Sequence, residues 1–347
     1  GAWCAEQGVD AWYRRAAQLE VATTERHLGV GDGATAACAA LGVADRREAL
    51  DGPQTRARCA SPRFLGATAS TREATVQPAR LAFGLRDRLA ALPAVRVCEQ
   101  SPAIALQDGP HGVTARTPGG TVRARSAALC VNTATAAVRP LRHRFAVASS
   151  HLVITEPVPD VIEELGWTGG ESITDGPTLI HYTRTTPDGR IAFRWAGGRM
   201  GYGARRPGVL DVDPAVQDRV ADELRWMFPA LQGRRVAHAW GGPIDVSPLH
   251  IPLFGSLRSL HWGAGFTGNG VGPSHLGGRI LADLCRDERS DVTRLALVET
   301  AGAGGRGFPP EPLRWAGGTV TRAALLRVDR AEQEGRRPDA VSRALAA

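Results

Sequence analysis

The chain has 347 residues, 43% of them hydrophobic, which is enough for roughly two domains and ordinary for a folded protein. Its formal charge is +7, but all 42 basic residues are arginine and they are spread along the whole length, a composition bias that argues against a nucleic-acid surface. The lack of lysine excludes a Schiff base or a lysine general base, and no run approaches the ~18 apolar residues of a membrane helix.

In chain order, residues 1–20 open with an expected helix and a short turn at Gly8, and residues 19–23 read as a strand. Residues 34–50 read as two helices, one capped by Gly42 and the next started by the Asp45 side chain. Residues 63–67 form an extended piece. Behind Gln77 and Pro78, Leu81, Leu85, Leu89 and Leu92 fall on one face of a helix that Pro93 ends. Residues 95–97 alternate like a strand, and 104–122 form a small meander turning at Pro118, Gly119 and Gly120. The apolar run 127–131 fits a strand buried on both faces in a parallel sheet. Asn132 and Thr133 then sit at its carboxyl end, where open α/β sheets bind ligands.

Strand patterns at 145–155 and 178–196, with a turn at 186–189, predict a mainly antiparallel second sheet. Asp213 and Pro214 start a helix that runs to Met227, with Val216, Val220, Leu224 and Met227 on one face. Residues 236–240 form a strand, and a loop follows. Trp240 is expected in core packing. After a strand near His261, glycines at 263, 265, 268, 270 and 272 lead into a helix beginning near Ser274, with Leu276, Ile280, Leu281 and Leu284 as its apolar face. Residues 301–318 are rich in Gly and Pro, and a charged surface helix is expected from Ala323 to Arg336.

Six dispersed cysteines form no C-x-x-C pair, and nine histidines show no metal-ligand spacing. No metal site is expected, and a reducing, cytoplasmic compartment fits best. No secretory signal is visible at the N-terminus. The dinucleotide fingerprint G-x-G-x-x-[GA] occurs three times. Gly29, Gly31 and Ala34 follow a polar run, and Gly302, Gly304 and Gly307 open no helix, so neither fits a phosphate cradle. The match at Gly263, Gly265 and Gly268 lies between strand and helix, but the helix starts too late for a pyrophosphate loop. It is expected to face a ligand of another kind.

Several segments together resemble the FAD-dependent amine and amino-acid oxidoreductases of the D-amino-acid oxidase superfamily, including glycine or sarcosine oxidases and γ-glutamylputrescine oxidoreductase relatives. They are ATVQPARLAFGL, VRVCEQSP, ALCVNTAT, RIAFRWAGG, AWGGPIDVSPLHIPLFG and above all GAGFTGNGVGPSHLGGRILADL. The resemblance implies an α/β fold, α+β overall, in which an incomplete Rossmann-like FAD domain is interleaved with a mainly antiparallel substrate-domain sheet. Residues 1–70 would be a helical and substrate-domain part, 71–140 FAD domain, 141–235 the substrate sheet, 236–300 FAD domain again, and 301–347 a tail. It implies FAD as cofactor, with Val97 on the adenine side, Asn132 and Thr133 at a strand end, and Gly265, Phe266, Thr267, Gly268, Asn269 and Gly270 facing the flavin. The family's opening strand, glycine turn and ribose-binding acid have no counterpart before Trp3, so an N-terminal Rossmann segment is expected to be lacking.

The reaction so implied is hydride transfer from an amine or amino acid to flavin N5, followed by imine hydrolysis, with no membrane or nucleic-acid partner. Alternatively, the chain is a truncated or non-catalytic remnant with weak or no FAD binding. His261, Arg194, Tyr182 and Arg184 are the substrate-side candidates, because an arginine suits a carboxylate through two parallel hydrogen bonds. Each has a plainer explanation: alternating strand residues often face solvent, and His261 also suits a satisfied core position.

Overall fold

A computed structural model describes residues 1–205, 208–299 and 307–346. The chain starts with α1 (Ala2–Gln7), which ends at left-handed Gly8, followed by β1 (Arg14–Arg15) and β2 (Gln18–Ala22). Next come α2 (Asp32–Ala40), β3 (Arg47–Leu50), α3 (Gly52–Arg58), β4 (Gly66–Ser70) and β5 (Ala74–Thr75). The expected second helix near Asp45 is therefore only a 3-10 turn leading into a strand. Asp45 caps nothing with its side chain and instead pairs with Arg72. Pairing of β3 with β4 overrides the helical propensity of residues 47–50. That pairing also lets Arg47 reach Glu20 and Ser70 on neighbouring strands.

The predicted helix α4 (Pro78–Ala90) forms, with the Gln77 side chain accepting from Arg80 N–H. Its leucine face, however, is uncovered: Leu85, Leu89 and Leu92 are all exposed. Residues 95–97 form no strand, since no neighbouring strand pairs with them among the described residues. The meander appears as β6 (Ala105–Gly109), β7 (Gly112–Thr117) and β8 (Gly120–Ala124). β9 (Ala127–Leu129) is shorter than expected; it pairs parallel with β16 as expected, but Ala128 is exposed, so it is not buried on both faces, and Val131 beyond it is exposed too.

The second half contributes β10 (Ala146–Thr155), α5 (Pro159–Glu164), β11 (Ser172–Asp175), β12 (His181–Thr185) and β13 (Ile191–Trp195). Helix α6 (Pro214–Met227) starts where expected, with Asp213 accepting from Val216 N–H. β14 (Val236–Val246) runs six residues past the expected end, through Gly241, Gly242 and Pro243, because antiparallel pairing with β10 continues to Val246. Trp240, on this edge strand, is 45% exposed and is not core. β15 (Leu253–Ser256), β16 (Leu260–Ala264), α7 (Val271–Cys285), β17 (Val298–Glu299), α8 (Leu313–Gln333) and α9 (Ala340–Ala346) complete the chain.

Eight strands form one sheet in the order β14-β10-β13-β12-β11-β2-β4-β3, antiparallel except where β2 meets β11. One face is apolar and carries α6: Val216, Val220, Leu224 and Met227 pack with Phe193, Ile191, Trp167 and Phe64. Fully burying side chains of this size contributes ~1.5–3 kcal/mol each. Because side chains alternate along a strand, the opposite face presents Gln18, Glu20, Thr68, Thr174, Tyr182, Arg184 and Arg194. A smaller sheet, β17-β15-β16-β9, packs α7 through Phe254, Ile280 and Leu281. Helix α8 begins ten residues before the expected Ala323 and is no free surface helix, since Arg314, Ala324, Asp329 and Ala331 are buried.

Candidate active site

The loop between β16 and α7 is held in shape by residues far from it in sequence. Gly265 N–H donates to the buried Asp245 carboxylate at 2.6 Å, and Thr267 N–H donates to the Asp245 carbonyl at 2.9 Å. Ser247 N–H donates to Thr267 Oγ1 at 3.3 Å, and Asn269 N–H to the Phe266 carbonyl at 2.9 Å. Arg194, reaching across from β13, donates through Nη1 to the Gly268 carbonyl at 3.1 Å. A Cβ at Gly268 would lie 2.6 Å from Arg194 Nη2, and its φ of +79° favours glycine besides. Burial raises the Asp245 carboxyl above its ordinary value. Sequence reasoning missed Asp245 and Ser150. The signal for the first was an acid set in an apolar strand, which burial makes costly unless it is hydrogen-bonded.

Two cavities meet at this loop. A 450 Å³ cavity lies over the polar face of the large sheet, with Gln18, Glu20, Thr68, Thr174 and Tyr182 as its floor, residues 27–32 as one wall and Asn269 at the loop end. A 520 Å³ cavity lies on the other side, bounded by Asn132, Asp245, Phe266, Gly268, Gly270 and the first turns of α7. Helix α7 begins at Val271, three residues earlier than expected, and has no acid in its first turn, so the partial positive charge of its N-terminus is not offset there.

The expected site residues separate into groups. Gly265, Phe266, Thr267, Gly268, Asn269 and Gly270 form the shared loop. Asn132, with φ +50°, donates to the Pro243 carbonyl at 3.2 Å and lines the second cavity, with half-buried Thr133 beside it. Arg194 lies over the Tyr182 ring at 5.3 Å and donates through Nε to Ser150 Oγ. Burial pulls the Arg194 guanidinium below its ordinary value and pushes the Tyr182 hydroxyl above its own. Arg184 follows Tyr182 on the same face, half-buried, with no hydrogen-bond or ion-pair partner among the described residues, and burial lowers its value too.

His261 and Val97 do not join this group. His261 is buried at the far end of β16, with Nδ1 2.7 Å from Ser256 Oγ, and burial lowers its value. Three residues, Trp262 to Ala264, lie between it and Gly265, a separation of about 13 Å along the extended chain. It is a satisfied core histidine. Val97 is exposed on irregular chain and lines neither cavity.

A flat ring suits the shared loop. Gly278 has open space where a Cβ would stand, and it lines the second cavity together with Gly268 and Gly270. The nucleotide end of a dinucleotide finds no equivalent cradle among the described residues. Gly31 packs against Thr68 nine residues past the end of β2, the Gly263 match is taken up by the loop itself, and Gly302 and Gly304 lie outside the described residues.

Both the fold and the sequence resemble those of known proteins. Among solved structures, glycine oxidase from Geobacillus kaustophilus superposes with a TM-score of 0.70 at 18% identity, covering 84% of this chain and 77% of that one. Iminodiacetate oxidase from Chelativorans sp. BNC1 superposes with a TM-score of 0.68 at 17% identity, covering 87% and 81%. By sequence, γ-glutamylputrescine oxidoreductase of Escherichia coli (strain K12) is 29% identical over 244 residues, 70% of this chain and 55% of that protein. A probable oxidoreductase, OrdL, of Rhizobium meliloti is 25% identical over 291 residues, 80% of this chain and 60% of that protein. The chain thus spans a little over half the length of these relatives. Residues 1–284, which carry both cavities and the loop between them, match the family described as FAD dependent oxidoreductase (DAO). The protein therefore belongs to the FAD-dependent oxidoreductases of the D-amino-acid oxidase family.

Proposed function

We propose that this chain takes part in FAD-dependent oxidation of an amine or amino acid, with the flavin ring against the loop 265–270 and the substrate over the polar face of the large sheet. The observation that carries this reading is the loop itself, which is fixed by Asp245 and Arg194 and contributes Asn269 to the first cavity and Phe266, Gly268 and Gly270 to the second. The kinds of molecule named for the relatives, glycine, iminodiacetate and γ-glutamylputrescine, all contain an amine beside a carboxylate or an amide chain. FAD, when bound, would supply a two-electron acceptor for the hydrogen on the carbon next to the amine.

This chain's own residues would do the rest. The N-terminus of α7 offers positive potential to an electron-rich ring edge, while the Gly265, Thr267 and Asn269 N–H groups are already hydrogen-bonded and shape the loop. Arg194 is committed to Ser150 and Gly268, so it orders the loop. Arg184 keeps free donors and is the better partner for a substrate carboxylate, although it lines neither cavity and would have to reach in from beside Tyr182 on the same sheet face. Tyr182 and Thr174 supply floor contacts, and the apolar body of the tyrosine limits water at the reacting carbon. Anaerobic mixing of the FAD-loaded protein with glycine, sarcosine, iminodiacetate and putrescine derivatives tests the reading, because a substrate bleaches flavin absorbance. Bleaching by none of them in a protein that binds FAD would refute it.

A second reading, a non-catalytic relative with weak FAD affinity, is favoured by one observation: of the two dinucleotide-type glycine matches that stand between a strand and a helix among the described residues, one packs Gly31 against Thr68 and the other is the ring-facing loop itself, so neither is left to cradle a pyrophosphate. An FAD titration separates the two, since the second reading expects no saturable binding.

A further inference from the structure

We propose that α8, which lies beyond the family-matched residues, fixes two walls of the sheet-face cavity, making Asp329 and Glu332 positioning residues for whatever that cavity admits. The cavity's role rests on the reading above; the contacts do not. One wall is formed by the chain around His27, Leu28 and Gly29, and another by Asp175, Gly176 and Ile180. Neither segment is a regular helix or strand across its middle.

Both segments are tied to the same helix from behind. Thr178 N–H and Leu179 N–H donate to the two oxygens of Asp329, at 3.4 and 3.1 Å. Three residues further along α8, on the same helix face, Glu332 stands 3.2 Å from Arg26 Nε and 3.5 Å from His27 Nε2. The two walls also touch, since a Cβ at Gly176 would lie 2.7 Å from the His27 ring. A displacement of either wall therefore displaces the other. The end of the second wall has its own anchor: Asp175 accepts from His181 N–H at 2.7 Å and contacts His181 Nδ1 at 2.6 Å. Its middle depends on Asp329.

Helix α8 can act as an anchor because it is itself fastened along its length. Arg314 donates to the Phe145 carbonyl at 2.9 Å, and Arg322 donates to the Gly197 and Gly198 carbonyls. Gln333 Nε2 donates to Glu223 of α6 at 3.3 Å, and Leu326 packs on the main core. From Arg314 to Glu332 the helix spans about 27 Å, which carries it from the end near β10 to the cavity walls. Removing the Asp329 carboxylate leaves two backbone N–H groups without an acceptor, and the wall must open to hydrate them. An asparagine retains one acceptor oxygen there.

Hydrogen exchange of the full chain, read peptide by peptide, tests this in Asp329→Ala, Asp329→Asn and Glu332→Ala. In Asp329→Ala, peptides covering 176–181 and 25–31 should exchange about tenfold faster, while those from β10 and α6 keep wild-type rates. Asp329→Asn should restore most of the protection. Glu332→Ala should release residues 25–31 most, and it keeps the test decisive if Asp329→Ala does not fold. Unchanged exchange in both walls, or equal loss in Asp329→Asn and Asp329→Ala, overturns the proposal. With a substrate found by flavin bleaching, KM should rise about tenfold in Asp329→Ala, with a smaller fall in the limiting rate, and recover in Asp329→Asn. A fall in the limiting rate alone would count against positioning. If no amine bleaches the flavin, the oxidation reading fails while the exchange result still decides the role of α8.

Discussion

The two sides of the sheet-face cavity are held by opposite strategies. At one side, the loop 265–270 is fixed from within the family-matched part, by Asp245 and Arg194 on strands directly beneath it. At the other, the segments around His27 and Leu179 are fixed from outside that part, by carboxylates on α8. The first kind of wall joins the Asp245 and Arg194 side-chain bonds to backbone bonds within the loop, with Gly265 and Gly268 at a positive φ that few other residues adopt. The second depends on side chains whose charge and partners vary with pH and substitution. A cofactor-facing wall built the first way and a substrate-facing wall built the second would let the ring site stay constant while the admitted molecule changes.

The largest effect should come from the first wall. Asp245→Ala leaves the buried Gly265 N–H unpaired and should cost about 1–3 kcal/mol in stability, read by thermal melting, with FAD affinity falling further than stability does. Gly268→Val combines positive φ with a clash against Arg194 and should cost about 1–3 kcal/mol. Loss of flavin binding with a near-normal melting point would show the strain confined to the loop.

The second wall should show itself through pH. Burial, with Asp175 and Glu332 close by, outweighs the two backbone N–H groups and pushes the Asp329 carboxyl up to about 6. His181, which faces the same cluster, is pulled down by burial but raised on balance by the Asp175 charge and hydrogen bond. Because the folded value of Asp329 lies above the ordinary 3.8, its contribution is full below that value and is lost as pH rises through about 6. The change is on the order of 3 kcal/mol at most. Denaturant titrations from pH 4 to 8 should show this decline in the wild type and a flatter curve in Asp329→Asn. Parallel curves would remove Asp329 from the account. The smallest effect is expected at Arg184→Gln: no loss of fold, since nothing pairs with it among the described residues, but weaker binding of any carboxylate-bearing substrate.

Much of this was legible in the sequence where the signal is local. The glycine spacing before α7, the Asp213 cap of α6 and the strand alternation at 178–196 each follow from neighbours within a few residues, and each formed. What was hidden depends on distant pairing. Residues 47–50 became a strand because β4 lies beside them, and 95–97 formed none because no strand does. Arg194 and Tyr182 were found as chemistry, but their stacking and the Ser150 and Gly268 bonds come from three separate strands and a loop. His261 looked equally chemical, and only its place at the far end of β16 separates it from the site. Asp329 was read as part of a solvated charged helix, since nothing near it in sequence shows that Leu179, 150 residues away, is its partner.

The central claim, that the loop 265–270 holds a flavin ring, is tested most directly by titrating the purified chain with FAD and following the quenching of flavin fluorescence. Saturable quenching in the wild type, weakened at least about tenfold in Asp245→Ala but little changed in Asp329→Asn, is the predicted result. No saturable quenching, or equal affinity in wild type and Asp245→Ala, would contradict it.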